Sequence, residues 1–191
     1  MYGFRNILLV LAVISILLPG CSKEKLKDVV SVGGNPDSVP TMVTRDVSTL
    51  ISDSGMTRYR ITSKLWLVYD EAKNPVWKFP VGLFIEQFDD KFKVAAHVKC
   101  DSATYFKNEK LWRLDGDVEI KNDKKELFLT EQVFWSQLRH EVYSDSFIHI
   151  EKSDRVIEGY GFVSNERMTT YDIEKVSGIF PVDEERSNVG K

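Results

Sequence analysis

Between Asp101 and Ser164 the chain writes one hairpin twice, and this duplication narrows the possible folds more than any other feature. Asp101-Ser102 opens the strand-like run Ala103-Thr104-Tyr105. The run turns at Lys107-Asn108-Glu109-Lys110 and returns through Leu114-Asp115-Gly116. Asp145-Ser146 opens Phe147-Ile148-His149, which turns at Glu151-Lys152-Ser153-Asp154 and returns through Ile157-Glu158-Gly159. The copies are offset by 44 residues at Asp-Ser and by 43 at the glycine, which fits one deletion in a turn. A supersecondary unit recurring at this spacing predicts stacked β-hairpins.

The flanking residues keep the same period. Trp112, Leu114, Gly116, Val118 and Ile120 alternate with Arg113, Asp115, Asp117 and Glu119, the pattern of a half-buried strand. In the next run Leu127, Leu129, Val133 and Trp135 are read as the inward face, with Phe128, Thr130, Gln132 and Phe134 opposite. Further strands are expected at Met42–Ser52, Thr57–Tyr69, Val76–Phe79, Val81–Phe88, around Val94–Val98, and at Glu141–Ser144, Phe147–Ile150 and Val156–Ser164, with Tyr171–Val176 as a last edge. Short polar turns separate them, and no stretch after Cys21 has a 3.6-residue period. The expected fold is all-β: an antiparallel jelly roll or V-shaped β-sandwich built from successive hairpins and open at both ends. Strands with one apolar face force the sheet to fold over on itself or to pack on another sheet. Two exposed edges remain, and these invite pairing with another chain.

The first twenty residues follow a different logic. Arg5 precedes the apolar run Ile7–Leu18, which is short for a membrane span of about 20 residues. Leu18-Pro19-Gly20-Cys21 then resembles a bacterial lipobox, with an unusual Pro before the Gly. Met1–Gly20 is therefore expected to be a cleaved signal peptide. Cys21 is the expected lipidation site, with two or more acyl chains giving a stable membrane anchor. Residues 21–40, broken by Gly33-Gly34-Asn35-Pro36, read as a tether, residues 41–180 as the folded domain, and residues 181–191 as an acidic tail. With Cys21 acylated, Cys100 has no partner for a disulfide and reads as a small strand residue.

The chemistry this sequence excludes is as informative. A net charge of −3 argues against a nucleic-acid binder. His97, His140 and His149 lie far apart and lack the spacing of a helical metal site. Asp115 and Asp117 read as a solvated strand face rather than an acid/base pair. There is no phosphate-binding glycine loop, nucleophile elbow or Cys-x-x-Cys. No catalytic residue, metal or cofactor is expected. What remains is a set of apolar residues read as inward-facing, Trp112, Leu114, Val118, Ile120, Leu127, Leu129, Val133, Trp135 and Phe147. These either pack together as a core or leave part of their surface as a groove for acyl chains, where each methylene taken from water contributes about 0.8 kcal/mol. Two other readings stand beside it. One is an envelope lipoprotein that recruits partners through its edges without carrying lipid. The other is a sugar-binding jelly roll using Trp66 and Tyr160 as platforms.

Asp101–Tyr105 followed by Leu111–Ile120, Leu127-Phe128-Leu129-Thr130-Glu131, and Glu158-Gly159-Tyr160-Gly161-Phe162-Val163-Ser164-Asn165 together resemble the repeats of the LptC and OstA/LptA-like β-jellyroll proteins. The resemblance spans about residues 41–180. It implies a component of lipopolysaccharide export that accepts lipopolysaccharide from an inner-membrane ABC transporter with LptF/LptG-like subunits and passes it to an LptA-like bridge. Partner contacts are then expected at an N-terminal edge, Met42, Val43 and Val47, for the transporter. For the bridge they are expected at a C-terminal edge, around Gly159, Gly161, Phe162 and Asn165 and along Tyr171–Val176. The resemblance implies the periplasmic face of the inner membrane, although Ser22 after Cys21 would favour the outer membrane under enteric sorting rules. A lipidated start departs from the uncleaved transmembrane helix familiar in LptC proteins.

Overall fold

The computed structural model describes residues 35–53 and 55–181. The expected signal peptide, Cys21, most of the expected tether and the acidic stretch beyond Pro181 lie outside the described residues. Among those described, no helix is long and apolar enough to cross a membrane.

Among the described residues eleven strands form one antiparallel sheet: β1 (Met42–Asp53), β2 (Met56–Tyr69), β3 (Val76–Phe79), β4 (Leu83–Phe88), β5 (Val94–Cys100), β6 (Ser102–Phe106), β7 (Leu111–Lys121), β8 (Leu127–Ser136), β9 (Glu141–Glu151), β10 (Arg155–Asn165) and β11 (Tyr171–Pro181). The register reduces this list to something simpler. β3 and β4 both pair with β2, at Leu67↔Lys78 and Ile61↔Ile85. β5 and β6 both pair with β7, at Val98↔Ile120 and Ala103↔Leu114. Each couple is thus one long strand interrupted, at Pro80–Gly82 and at Asp101. The sheet is a meander in which every long strand pairs with the next in sequence, as the hairpin pattern predicts.

The interruptions continue as a line across the sheet. Asp46, Gly82, Gly116, Asp117 and Gly161 all have positive φ, between 42° and 77°. Ladder registers shift at Asp115/Val118, Thr130/Phe134 and Tyr160/Phe162. The backbone bonds Gly82 N to Asp101 O (2.6 Å) and Asp101 N to Gly116 O (2.9 Å) tie neighbouring bends together. Bulges bend a strand and increase its twist, so bulges in register crease the whole sheet. Gly116 is required twice over: its φ is +76°, and a Cβ there would lie 2.9 Å from the Asp101 carboxylate. This explains the repeated sequence, with one refinement. The counterpart of Gly116 in the second copy is Gly161, also at positive φ, rather than Gly159.

Folding at the crease brings two halves face to face. One half holds β4, β5 and residues 118–121, 127–130 and 148–151. The other holds β3, β6 and residues 111–115, 133–136 and 141–144. Their inner faces share one core in which Phe79, Phe128, Phe162, Ile148, Ile150, Val118 and Val133 are almost wholly buried. Tyr59 of β2 meets Trp135 of β8 across the interior with ring centroids 5.3 Å apart, and Phe128 meets Tyr171 edge-on at 5.2 Å.

The β10–β11 loop closes one side of this interior. The Met168 backbone N–H donates to Asn165 O, and its side chain is buried in the core. Asn122 Nδ2 of the β7–β8 turn donates to Met168 O (2.8 Å), Lys124 Nζ donates to Thr169 O (3.0 Å), and Arg167 pairs with Asp123 (3.1 Å). At the N-terminal side, residues 35–40 do not run free. Asp37 Oδ1 accepts from Lys73 N (2.8 Å), which pins the last part of the expected tether to the β2–β3 turn.

Candidate functional site

The interior between the two halves is the candidate lipid path. Of the residues expected to line it, Trp112, Leu114, Val118, Ile120 and Val133 are buried, and Trp135 packs against them half-buried. The other three face away. In β8 the buried residues are Phe128 and Thr130 before the bulge at Glu131, and Val133 and Ser136 after it. Leu127 and Leu129 therefore turn to the outer face, where Leu129 shares a depression with Phe147 and His149. Phe147 is 38% exposed and rests edge-on against Tyr160. Sequence alternation missed Phe128, Ile148, Ile150 and Phe162, which supply much of the real lining.

The interior is largely filled. An apolar cavity of about 50 Å³ remains between Tyr59, Ile85, Val98, Val133, Trp135 and Met168. That is room for about three to five water-sized groups, well short of a full acyl chain.

All four tryptophans of the protein lie on the inner face: Trp66 on β2, Trp77 on β3, Trp112 on β7 and Trp135 on β8. Tyr105 links them, 5.1 Å from Trp77 and 4.7 Å from Trp112. Trp66 stacks on Phe79 and so is no exposed sugar platform; Tyr160 is exposed but stands on the far face against Phe147. Among the described residues no group of three His, Cys, Asp or Glu side chains converges as a metal site requires. His149 is held by Glu158 at 2.9 Å, and Asp115 by Arg113 at 2.9 Å and Gln132 at 2.6 Å.

Cys100 sits inside, 3% exposed. Burial, followed by the Asp115 carboxylate, pushes its thiol up to about 12. The thiolate is the reactive species, so in the native protein iodoacetamide at pH 7 should leave the Cys100 peptide unlabelled, whereas labelling should become complete in denaturant. The same shift fixes a sign. Above the ordinary value of 9.0 the unfolded chain loses this proton before the folded one does. Stability therefore declines as pH rises from about 9 towards about 12, which urea midpoints across that range would check.

The edges are the second candidate surface. β1 pairs only with β2, and β11 only with β10, so both long outer edges are unpaired among the described strands. Met42 and Val43 are exposed on β1 and Val47 is half-buried there, while Val176, Ile179 and Phe180 are exposed on β11. Of the two segments expected at the C-terminal edge, Tyr171–Val176 lies on the edge strand β11, and the other lies one strand further in. Gly159, Gly161, Phe162 and Asn165 belong to β10, which is paired on both sides. Phe162 is core, and Asn165 Oδ1 accepts from Thr169 N inside the loop. The available edge is β11.

A family model for lipopolysaccharide assembly, LptC-related, matches residues 7–178 and so spans nearly the whole sheet. The chain belongs to the LptC family. No curated protein sequence gives a match. Membership assigns this LptC-family chain a role in lipopolysaccharide transport at the cell envelope, in a family of transport components rather than enzymes. The creased meander is the jelly roll expected for that family.

Proposed function

We propose that this chain is a membrane-anchored relay in lipopolysaccharide export. It receives lipopolysaccharide from an inner-membrane ABC transporter at its β1 edge. It holds the acyl chains between the two halves of the creased sheet and delivers them to an LptA-like protein at its β11 edge. The observation that carries this reading is a continuous apolar, aromatic inner face running between two long unpaired edges, in a chain of this family. Partner strands would extend the sheet by backbone hydrogen bonding, and so continue the inner face from one protein to the next. Cleavage after Gly20, acylation of Cys21 and a tether up to the turn at residues 35–40 would hold the sheet at the periplasmic face of the inner membrane. The energy for transfer would come from the transporter.

Because the cavity is small, acyl chains would enter by parting the halves and replacing protein contacts with lipid contacts. Photo-crosslinkers at Val133 and Trp135 in cells should then capture lipopolysaccharide, while those at Glu119 and Leu129 should not. Crosslinkers at Val43 and at Ile179 should capture different protein partners. Capture of lipopolysaccharide only from the outer positions would defeat the lipid path.

The filled interior favours a second reading, in which the sheet recruits envelope partners through its edges and carries no lipid. Protein adducts at Val43 and Ile179 with no lipid adduct at Val133 or Trp135 would decide for it.

A further inference from the structure

Three buried polar side-chain atoms among the described residues have no hydrogen-bond partner: Trp66 Nε1, Trp77 Nε1 and the Tyr171 hydroxyl. Native interiors rarely leave such groups unpaired, and each one calls for a physical reason. Tyr171 stands apart, against Phe128 and under the Lys152 ammonium 5.2 Å from its ring. The two indoles are neighbours, with centroids 5.1 Å apart at an interplanar angle of 68°. They sit side by side on the inner face, and both rings are half-buried although their N–H groups are covered. Two aromatic groups further along have acceptors. Tyr105 donates to Gln137 Oε1 at 3.0 Å and Trp135 donates to Glu166 Oε1 at 2.9 Å. Within the row, the buried N–H groups without an acceptor are those of Trp66 and Trp77.

Their chemistry selects the ligand. Indole N–H is a donor only, so the ligand must bring an acceptor. The surroundings are apolar: Trp66 stacks on Phe79, and Trp77 lies against Tyr105. Lys107, the cation over Trp77, is already paired with Asp70 at 2.7 Å. A phosphate or carboxylate would lose its hydration there without gaining a counter-charge. An uncharged carbonyl oxygen attached to a hydrocarbon chain meets both demands.

We propose that Trp66 and Trp77 form a carbonyl-binding subsite at one end of the interior, which fixes the acyl carbonyl of a bound lipid while its chain lies along the aromatic row. This rests on the lipid-carrying reading above and adds a register to it: the ester or amide carbonyl, rather than the chain terminus, is the point held.

The test uses two single-chain probes below their micelle-forming concentrations: palmitoyl lysophosphatidylcholine, an ester, and its hexadecyl ether analogue. They share headgroup and chain length, and the ether lacks the carbonyl. Equilibrium dialysis with the folded protein should show the ester bound about fivefold more tightly, which is about 1 kcal/mol. Trp66→Phe and Trp77→Phe, each keeping an aromatic ring, should bring the two affinities together by weakening the ester alone. Equal binding of both probes by the unsubstituted protein would overturn the carbonyl subsite and leave the lipid path standing. Binding of neither probe would overturn both. The comparison within the unsubstituted protein stands whether or not the variants fold.

Discussion

Gly159→Ala will lower the unfolding free energy by about 2–4 kcal/mol, although it adds a single methyl group in an ordinary strand conformation. That methyl would lie 2.6 Å from the Lys175 carbonyl oxygen and 2.6 Å from Ile173 Cγ2. Both belong to β11, and a backbone carbonyl cannot rotate away. β11 must therefore shift outward along its ladder with β10. For a domain of this size the change amounts to a melting temperature lower by about 5–15 °C. Hydrogen exchange should quicken first in β11. Gly178→Ala makes the contrast. Its added methyl meets the Phe180 ring at 2.6 Å, but that ring is 51% exposed and can swing into solvent. Similar losses at the two positions would show that β11 does not lie where the register places it. Because β11 is the available C-terminal edge, Gly159→Ala should also weaken whatever partner strand docks there, without touching that partner.

Asn122→Ala should cost about 3 kcal/mol and open the side of the interior closed by the β10–β11 loop. The Asn122 amide is buried and fully used. Its Nδ2 donates to Glu126 Oε2 (2.7 Å) and to Met168 O (2.8 Å), while its Oδ1 accepts from Lys124 N (3.0 Å) and Glu126 N (2.9 Å). Removing it strands the Met168 carbonyl, and an unpaired buried group costs about 1–3 kcal/mol beyond the lost bonds. Trypsin should then cut after Arg167 many times faster in the native protein. Asp123→Ala removes only the exposed ion pair to Arg167 and should cost less than about 1 kcal/mol. If Asp123→Ala released the loop as fully as Asn122→Ala, the closure would be ionic at the surface rather than built on the buried amide.

These two positions illustrate what the sequence could and could not reveal. The strands were legible because side-chain period and turn chemistry are local. The charged turn at Lys107–Lys110 joins β6 to β7, and the polar turn after Glu151 joins β9 to β10, as read. Facing was legible only where the phase survives the crease. In β7 two residues, Gly116 and Asp117, fill the bulge, so Trp112, Leu114, Val118 and Ile120 stay on one side. In β8 the phase changes at Glu131. A pattern extended back from Val133 therefore selects Leu129 and Leu127 instead of Thr130 and Phe128. A shift of one residue exchanges every side chain across a sheet, and nothing in the β8 sequence marks this one, since it has no glycine. In β9 the phase does survive the bend at Asp145-Ser146: Val142, Ser144, Ile148 and Ile150 all face inward, so alternation from Val142 already places Phe147 on the outer face, against the inward reading. The closure by Asn122 was illegible for another reason: its partner lies 46 residues away in a loop with no pattern of its own.

The meander has a consequence for how the chain is made. Every long strand finds its ladder partner in the next segment to be synthesised, so each new hairpin can form against what is already folded. Contacts between sequence neighbours close small loops and speed folding. A protein of this order can assemble progressively from its N-terminal end, with β11 the last segment to be secured and, until then, β10 the temporary edge.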